Sequence, residues 1–470
     1  MEPLIRNLTC QYKIEELNGD SLTPITVFTR LNGRKKFLME SSLKHEEKGK
    51  YSFVGMNPYK ELVTNGDKVT IIAHEREKQV ETLTGDVLQI IKNELPSVQL
   101  PVSSPFYGGA VGYISYDLIH QYKDIGLENE DDIQMPDTHL MVFQDTVIFD
   151  HEKQTFIICA LDLDGTRNEQ ALQQSIANIK HHIFTPVKEE EKIEAINDMT
   201  FHSATGKQTF LHMVEKAKAY IENGDIYQIV LSQRMQTSFE ADPFSFYRCL
   251  RRANPSPYMF YIDFEDYIVL GASPESLITI NNREIVTNPI AGTRSRGKTK
   301  TEDKQLENDL LTDEKEIAEH NMLVDLSRND LGSICIAGSI TVPTYMTIER
   351  YKHVMHIVTE VHGTLKEDVT WTDALLACLP AGTISGAPKI RAMQILHQLE
   401  KKKRGVYGGV VGYVNVNGDV NFVLAIRTLV LKDNTAYVQA GAGIVYDSKP
   451  EEEFAETMFK AKALLEVNNE

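Results

Sequence analysis

The stretch YGGAVGY at 107–113 returns as YGGVVGY at 407–413, 300 residues further along the chain. A separation of that size excludes a short-period solenoid. Two equivalent strands in two related sheet halves account for the echo, and so does chance. Either way, the glycines suit a strand that another backbone or a ligand approaches closely. Outward from these words, roughly the first 190 residues read as strand-rich. The run 140–150 is apolar and β-branched, and 155–161 follows as a hairpin partner. The acidic run Lys188-Glu189-Glu190-Glu191-Lys192 reads as a linker, so the expected division is 1–190, strand-rich, and 191–470. Past the linker, 207–223 is an amphipathic helix stopped by Gly224. Strand candidates recur at 226–233, 258–263, 267–272 and 420–431, with long helices at about 304–325, 386–400 and 450–466. The expected class is α+β: large, mostly antiparallel sheets with helices on their outer faces.

A chain of 470 residues, 42% hydrophobic and 25% charged, is an ordinary globular protein of several domains or one large body. Residues 1–8 hold no apolar run of signal-peptide length, and nothing approaches the roughly 18 apolar residues of a membrane span. A cytoplasmic protein without a membrane partner is expected. The five cysteines, Cys10, Cys159, Cys249, Cys335 and Cys378, are scattered and form no CxxC pair. Neither a zinc site nor a disulfide framework is indicated. None stands in the Gly-x-Cys-x-Gly setting of a glutamine amidotransferase nucleophile. A net charge of −18 argues against a nucleic-acid partner. The one basic run, Lys401-Lys402-Lys403-Arg404, reads as a solvated helix end. If such an acidic protein binds an anion, the site itself must supply cations or a bridging metal.

Two helical stretches carry carboxylates at helical spacing. Glu316 and Glu319 share one face, Glu453 and Glu456 another, and Lys460 lies a turn beyond Glu456. Hard oxygen donors from two elements suit Mg²⁺, although acidic residues on a helix usually form only a solvated face. The small-residue loop PAGTISGAPK (380–389) opens a helix, whose free N–H groups suit an anion; read blandly, it is a tight turn. Gly441-Ala442-Gly443 follows a strand and precedes the second acidic helix, so backbone could approach a ligand there. PIAGT (289–293) has the same small-residue character. His356, in an apolar run, reads alone as a satisfied core histidine. Composition and spacing stop at an acidic α+β enzyme, with Mg²⁺ and an anionic ligand as open options.

At these segments the chain resembles the chorismate-utilising enzymes, a family of anthranilate, aminodeoxychorismate, isochorismate and salicylate synthases. The matching segments are SPES (273–276), PIAGTR (289–294), DEKEIAEHNMLVDLSRNDLG (313–332), VMHIVTEVHG (354–363), PAGTISGAPK (380–389), YGGVVGY (407–413), AIRT (425–428) and GAGIVYDSKPEEEFAETMFKAKA (441–463). They stand in family order over roughly the last 200 residues. The resemblance implies that Glu319 and Glu456 ligate Mg²⁺, with Glu316 and Glu453 binding metal-bound water. It implies chorismate contacts from Gly292, Thr293, Tyr407, Arg427, Lys460 and the backbone of Gly441, Ala442 and Gly443. Glu275 is similar to the family's general acid, which protonates the departing C4 hydroxyl. His356 and Thr383 line that centre, and His356 resembles the histidine linked to pyruvate elimination.

Two departures separate the branches. Water-adding relatives carry a lysine base where this chain has Gln228, and many aminodeoxychorismate synthases carry a lysine nucleophile where it has Ala291. Without either, direct attack by ammonia at C2 is implied, because ammonia needs no activating base. The N-terminal half agrees with the anthranilate-forming branch: LMESS (38–42) with Lys50 downstream, and NPSPYM (254–259). Met39 replaces the usual leucine at similar volume. These segments resemble a feedback site for tryptophan built from Glu40, Ser41, Lys50, Pro257, Tyr258 and Met259. The implied activity is Mg²⁺-dependent amination of chorismate with loss of pyruvate, and amination to 4-amino-4-deoxychorismate is the alternative. Lacking an amidotransferase motif, the chain is expected to receive ammonia from a separate glutaminase subunit in a hetero-oligomer.

Overall fold

The computed structural model describes residues 10–41, 49–74, 78–185 and 199–465. The linker expected at 188–192 and the boundary at 190 lie outside them. Two twelve-stranded antiparallel sheets face each other. From its centre the first sheet runs one way through Phe37–Ser41, Tyr51–Gly55, Asp145–Asp150, Thr155–Leu161 and Tyr12–Asn18. The other way it runs through Tyr258–Asp263, Tyr267–Ser273, Thr428–Lys432, Thr435–Ile444, Gln228–Ser238 and His202–Ser203, with Gly386–Ala387 beside Gln228–Ser238. The second sheet runs from its centre through Gly109–Ile114, Thr138–Phe143, Lys60–Asn65, Lys68–Ala73 and Gln79–Thr84. Opposite lie Val410–Asn415, Val420–Leu424, Ser276–Asn281, Glu284–Thr287, Val354–Thr364 and Ile290–Ser295, with Thr341–Arg350 on Val354–Thr364.

Each sheet repeats its own order outward from the middle, so the fold is internally duplicated. The two echo strands meet at the centre of the second sheet and pair with each other, Gly112 opposite Gly412. A Cβ on Gly112 would lie 1.9 Å from the His139 carbonyl oxygen, and one on Gly412 the same 1.9 Å from that of Asn421. No side chain fits at either place, which is why the word repeats. Of its two explanations, equivalent strands in related sheet halves is the one observed.

Alternation along the strands separates three apolar layers. Phe37, Phe53, Phe260 and Val430 of the first sheet meet Tyr113, Phe143, Val411 and Tyr413 of the second between the sheets. Leu38, Leu270 and Val438 face outward, under residues of the helices Glu169–Phe184 and Pro243–Ala253. Ile114, Leu140 and Phe422 lie outward on the second sheet, beneath Glu314–Ile334 and Trp371–Cys378. No helix among the described residues is long and apolar enough to cross a membrane.

Three expectations need correction. The runs 140–150 and 420–431 are not single strands. Each breaks, at Gln144 and at 425–427, and changes sheet. The helix expected at 304–325 is two, Lys300–Thr312 and Glu314–Ile334, divided where the Asp313 carboxylate caps the backbone N–H groups of Lys315 and Glu316. Nor is 401–404 a solvated helix end: the helix stops at Leu399. Lys403 pairs with Asp137 at 3.3 Å and Glu128 at 2.8 Å, and buried Arg404 pairs with Glu400 at 2.7 Å.

Candidate active site

Glu275 occupies the corner where the chain leaves Tyr267–Ser273 in the first sheet and enters Ser276–Asn281 in the second. Arg427 occupies the other nearby crossing, between Val420–Leu424 and Thr428–Lys432, with a left-handed φ of 49°. Two sheet changes thus bring an acid and a cation together at a place that neither regular strand supplies. Glu275 is buried, and the Thr383 hydroxyl donates to its Oε1 at 2.9 Å. Burial pushes its carboxyl up to about 8, against the pull of that hydroxyl and of the Arg427 and Lys460 charges. At neutral pH it therefore carries a proton it can give. Burial also pulls the Arg427 guanidinium down from its usual value. Among the described residues the guanidinium makes no hydrogen bond or ion pair, the condition of a cation awaiting an anion.

His356, on Val354–Thr364, lies opposite Thr293. Its Nδ1 is 3.0 Å from the Gly292 carbonyl oxygen and 3.1 Å from the Thr293 hydroxyl. A carbonyl only accepts, so Nδ1 carries the proton and Nε2 the lone pair. Nε2 is buried and has no partner among the described residues. Burial, then the Arg427 charge, push the imidazole down to about 4. It is a neutral ring with an idle acceptor. Gly292 stands in a bulge at φ 72°, and a Cβ there would lie 3.1 Å from Glu316 Oε2.

The two acidic helices approach one another. Gln228 Nε2 donates to Glu319 Oε1 at 2.9 Å. A Cβ on Gly443 would stand 2.7 Å from that amide nitrogen and 4.0 Å from Glu319 Oε1. Burial, abetted by Glu316, raises the Glu319 carboxyl; burial, abetted by Glu456, raises that of Glu453. Lys315 and Lys460 both act on each of these two carboxyls, which places them around one shared space. Glu316 is held by Arg294 at 3.0 Å, and Glu456 by Lys460 at 2.6 Å. Lys460 also donates to the Gly441 carbonyl at 3.1 Å. A Cβ on Gly441 would meet the Tyr407 hydroxyl at 2.6 Å, so the strand's glycines keep the floor open. Among the described residues no three His, Cys, Asp or Glu side chains form a ready metal cage. The donor set nevertheless fits a hard divalent cation, being carboxylates from two helices whose repulsion a cation relieves.

The second cluster lies on the first sheet. Glu40 is opposite Met259 and Ser41 opposite Tyr258, with buried Pro257 adjoining. Tyr247 donates to Glu40 Oε2 at 2.8 Å and Arg251 Nε approaches the same oxygen at 2.9 Å. Glu40 Oε1 is buried without a partner among the described residues. The Ser41 hydroxyl donates to the Tyr51 carbonyl at 2.7 Å. Lys50, one residue before Tyr51, pairs with Glu152 at 2.8 Å.

Reading the sequence missed several partners. Arg294 closes the PIAGTR segment, and its position beside an acidic helix was the available signal. Tyr351, with its ring 5.3 Å from that of His356, and Tyr247 and Arg251 stand outside any segment with a chemical signature.

Comparison with known proteins identifies the family. A family model described as chorismate binding enzyme matches residues 35–466. Anthranilate synthase component 1 of Lactococcus lactis is 42% identical over 97% of this chain and 99% of its own length. Its namesake in Acetivibrio thermocellus is 45% identical over 97% and 94%. The crystal structure of anthranilate synthase component I from Streptococcus pneumoniae superposes with a TM-score of 0.83 at 40% identity, covering 96% of this chain and 99% of that one. The menaquinone-specific isochorismate synthase of Escherichia coli, at 18% identity and a TM-score of 0.73 over 97% of this chain and 95% of that one, shares the fold.

Proposed function

The chain belongs to the chorismate-binding enzymes, and we propose that within them it makes anthranilate from chorismate and ammonia with release of pyruvate. The observation that carries this reading is the buried acid Glu275, proton-bearing at neutral pH, beside the unpaired Arg427 and the idle Nε2 of His356. Arg427 and Lys460 hold the substrate's carboxylates, with Tyr407 and the glycine backbone at 441–443 shaping the floor. Glu275 gives its proton to the C4 hydroxyl oxygen, which leaves as water, while ammonia bonds to C2. Thr383 aims Glu275 through its hydrogen bond. Gln228 is no base and Ala291 no nucleophile, so both fit attack by an amine that needs neither. His356, neutral and with a free lone pair, takes a proton in the elimination that expels pyruvate. Mg²⁺ is the cation proposed for Glu319 and Glu456, with Glu316 and Glu453 close by; when bound, it neutralises them and attracts the ring carboxylate.

Ammonia is proposed to come from a glutamine amidotransferase subunit. None of the four buried cysteines, nor half-buried Cys10, stands in a nucleophile motif. The purified chain, given chorismate, Mg²⁺ and ammonium, is expected to form anthranilate and pyruvate in equal amounts. With glutamine alone it should form none until a glutaminase subunit is added. Accumulation of 4-amino-4-deoxychorismate with pyruvate retained overturns the reading, and glutamine use by the single chain overturns the partner.

Tryptophan is the proposed inhibitor at Glu40, Ser41, Pro257, Tyr258 and Met259, where the unpaired Glu40 Oε1 suits an ammonium group. Ser41→Phe places a ring in that space. Losing a hydrogen bond to a charged partner costs about 1.5–3 kcal/mol, roughly a ten- to hundredfold loss of tryptophan affinity. Ammonium-dependent catalysis should persist, because no proposed chorismate contact lies in this segment. Tryptophan titrations of wild type and variant at fixed chorismate check it, and equal inhibition of both rejects the site. Coupling is reciprocal, so chorismate should weaken tryptophan binding by the factor with which tryptophan weakens chorismate binding.

A further inference from the structure

The proposed reaction leaves Glu275 as a carboxylate, because the proton it gives departs in water. The next turnover needs that proton back. Glu275 is buried, and a seated substrate closes the side on which Arg427 and Lys460 act. The structure gives Glu275 a second opening, with about 390 Å³ of empty space. Its lining includes Glu275 and Thr383, then Ser276 and Thr287, and Ser327 and Asp330 from the helix Glu314–Ile334. Arg427, His356, Glu319 and Lys460 do not line it, so it is separate from the substrate space. Ser327 and Asp330 are three apart and share one face of that helix. Asp330 lies eleven residues beyond Glu319, about 16 Å along the helix axis. Its side chain is 18% exposed, so this end of the passage reaches solvent. Gly382 brings the Thr383 loop close against the helix, since a Cβ there would lie 2.3 Å from Leu326 Cδ2.

The groups along this passage are those that carry protons. The Thr383 hydroxyl already donates to Glu275 Oε1 at 2.9 Å. The Ser327 hydroxyl makes no hydrogen bond among the described residues, and a hydroxyl accepts and donates at once. Asp330 faces the Lys389 ammonium at 2.6 Å and the Cys378 thiol. Burial raises the Asp330 carboxyl against the pull of Lys389, toward the range where a carboxyl exchanges protons near neutral pH. It also raises the Cys378 thiol, which therefore keeps its proton and takes no part. We propose that Asp330 and Ser327 form the route by which solvent protons return to Glu275 after each turnover, a claim that rests on the function proposed above. A hydronium ion or buffer acid protonates the Asp330 carboxylate. Asp330 passes a proton to the Ser327 hydroxyl, which releases its own through water beside Thr383 to Glu275. Only Glu275 ends the relay changed, from carboxylate to acid. The ammonium formed at C2 sheds one proton, so a turnover on ammonia consumes none overall.

The experiment compares wild type with Asp330→Asn and Ser327→Ala, and with Asp325→Asn, an exposed position on the same helix that does not line the passage. Each is assayed with chorismate, Mg²⁺ and fixed ammonium at pH 7 in a dilute, bulky buffer, and imidazole is then titrated in at constant ionic strength. Recovery of the free enzyme follows product release, so it enters kcat and not kcat/KM. Both passage variants should lose about tenfold in kcat while kcat/KM stays within about twofold of wild type. Imidazole should restore their kcat and leave that of wild type and Asp325→Asn unmoved. Melting temperatures identify a variant that fails to fold, in which case the other passage variant decides. Unchanged kcat in the folded variants overturns the proposal, since the proton then returns directly from the amine or by another path. Equal loss in kcat and kcat/KM without rescue by imidazole overturns it too, since the residues then only support the site. If wild type makes no anthranilate from ammonium, the function itself fails, a separate result.

Discussion

Glu275→Gln is expected to lower kcat by about 10²–10⁴, the usual worth of a positioned general acid. The amide matches the neutral carboxyl in size and still accepts from Thr383, so folding and substrate binding should survive while the donated proton disappears. The pH profile gives an independent reading. Burial holds the Glu275 proton up to about 8, so wild-type kcat/KM should fall as pH rises through that value. The Thr383 hydroxyl favours the charged form of Glu275. Thr383→Val should therefore move this alkaline limb to higher pH, with a smaller loss of kcat. Steady-state assays with ammonium across the pH range check both variants. Retention of more than about a tenth of wild-type kcat by Glu275→Gln removes it as the acid, and an unmoved limb in Thr383→Val removes the hydrogen bond as its tuner.

The residues that carry this chemistry were only partly legible in the sequence. The glycine words at 107–113 and 407–413 announced their strands because glycine there is a steric demand: the Cβ positions fall on the carbonyls of His139 and Asn421. Spacing alone puts Glu316 with Glu319 on one helix face and Glu453 with Glu456 on another, but not the two faces against each other. Nor does it show the corners. Residues 420–431 are apolar but for Asn421, Arg427 and Thr428, so periodicity gives no sign that the chain changes sheets at Arg427, the place that makes this arginine functional. The same blindness joined 140–150, at the duplicated position, into one strand. Likewise, Lys403 and Arg404 looked solvated because their partners Glu128, Asp137 and Glu400 come partly from distant sequence. Local pattern reports which face is apolar, whereas ion pairing across the fold is a tertiary fact.

Glu319→Ala and Glu456→Ala should each abolish ammonium-dependent activity, by about 10³-fold or more, because both substrate and site would lose the charge that lets them meet. Stability should move little. Glu319 is crowded by Glu316, and burial already raises its carboxyl, so its removal relieves repulsion. Only the Gln228 amide is left behind, within reach of the open site. Glu456 pairs with Lys460 through side chains about half exposed, and such pairs contribute about 0–1 kcal/mol. Melting temperatures within a few degrees of wild type are therefore expected, and a collapse in either variant would mark a structural residue instead. Metal binding has its own readout. With chorismate present and ammonium absent there is no turnover, and Mg²⁺ should raise the wild-type melting temperature, since a ligand that binds only the folded chain stabilises it. Neither variant should show that rise at the same Mg²⁺ concentration. Full turnover by either one at saturating chorismate would take the metal away from these two glutamates.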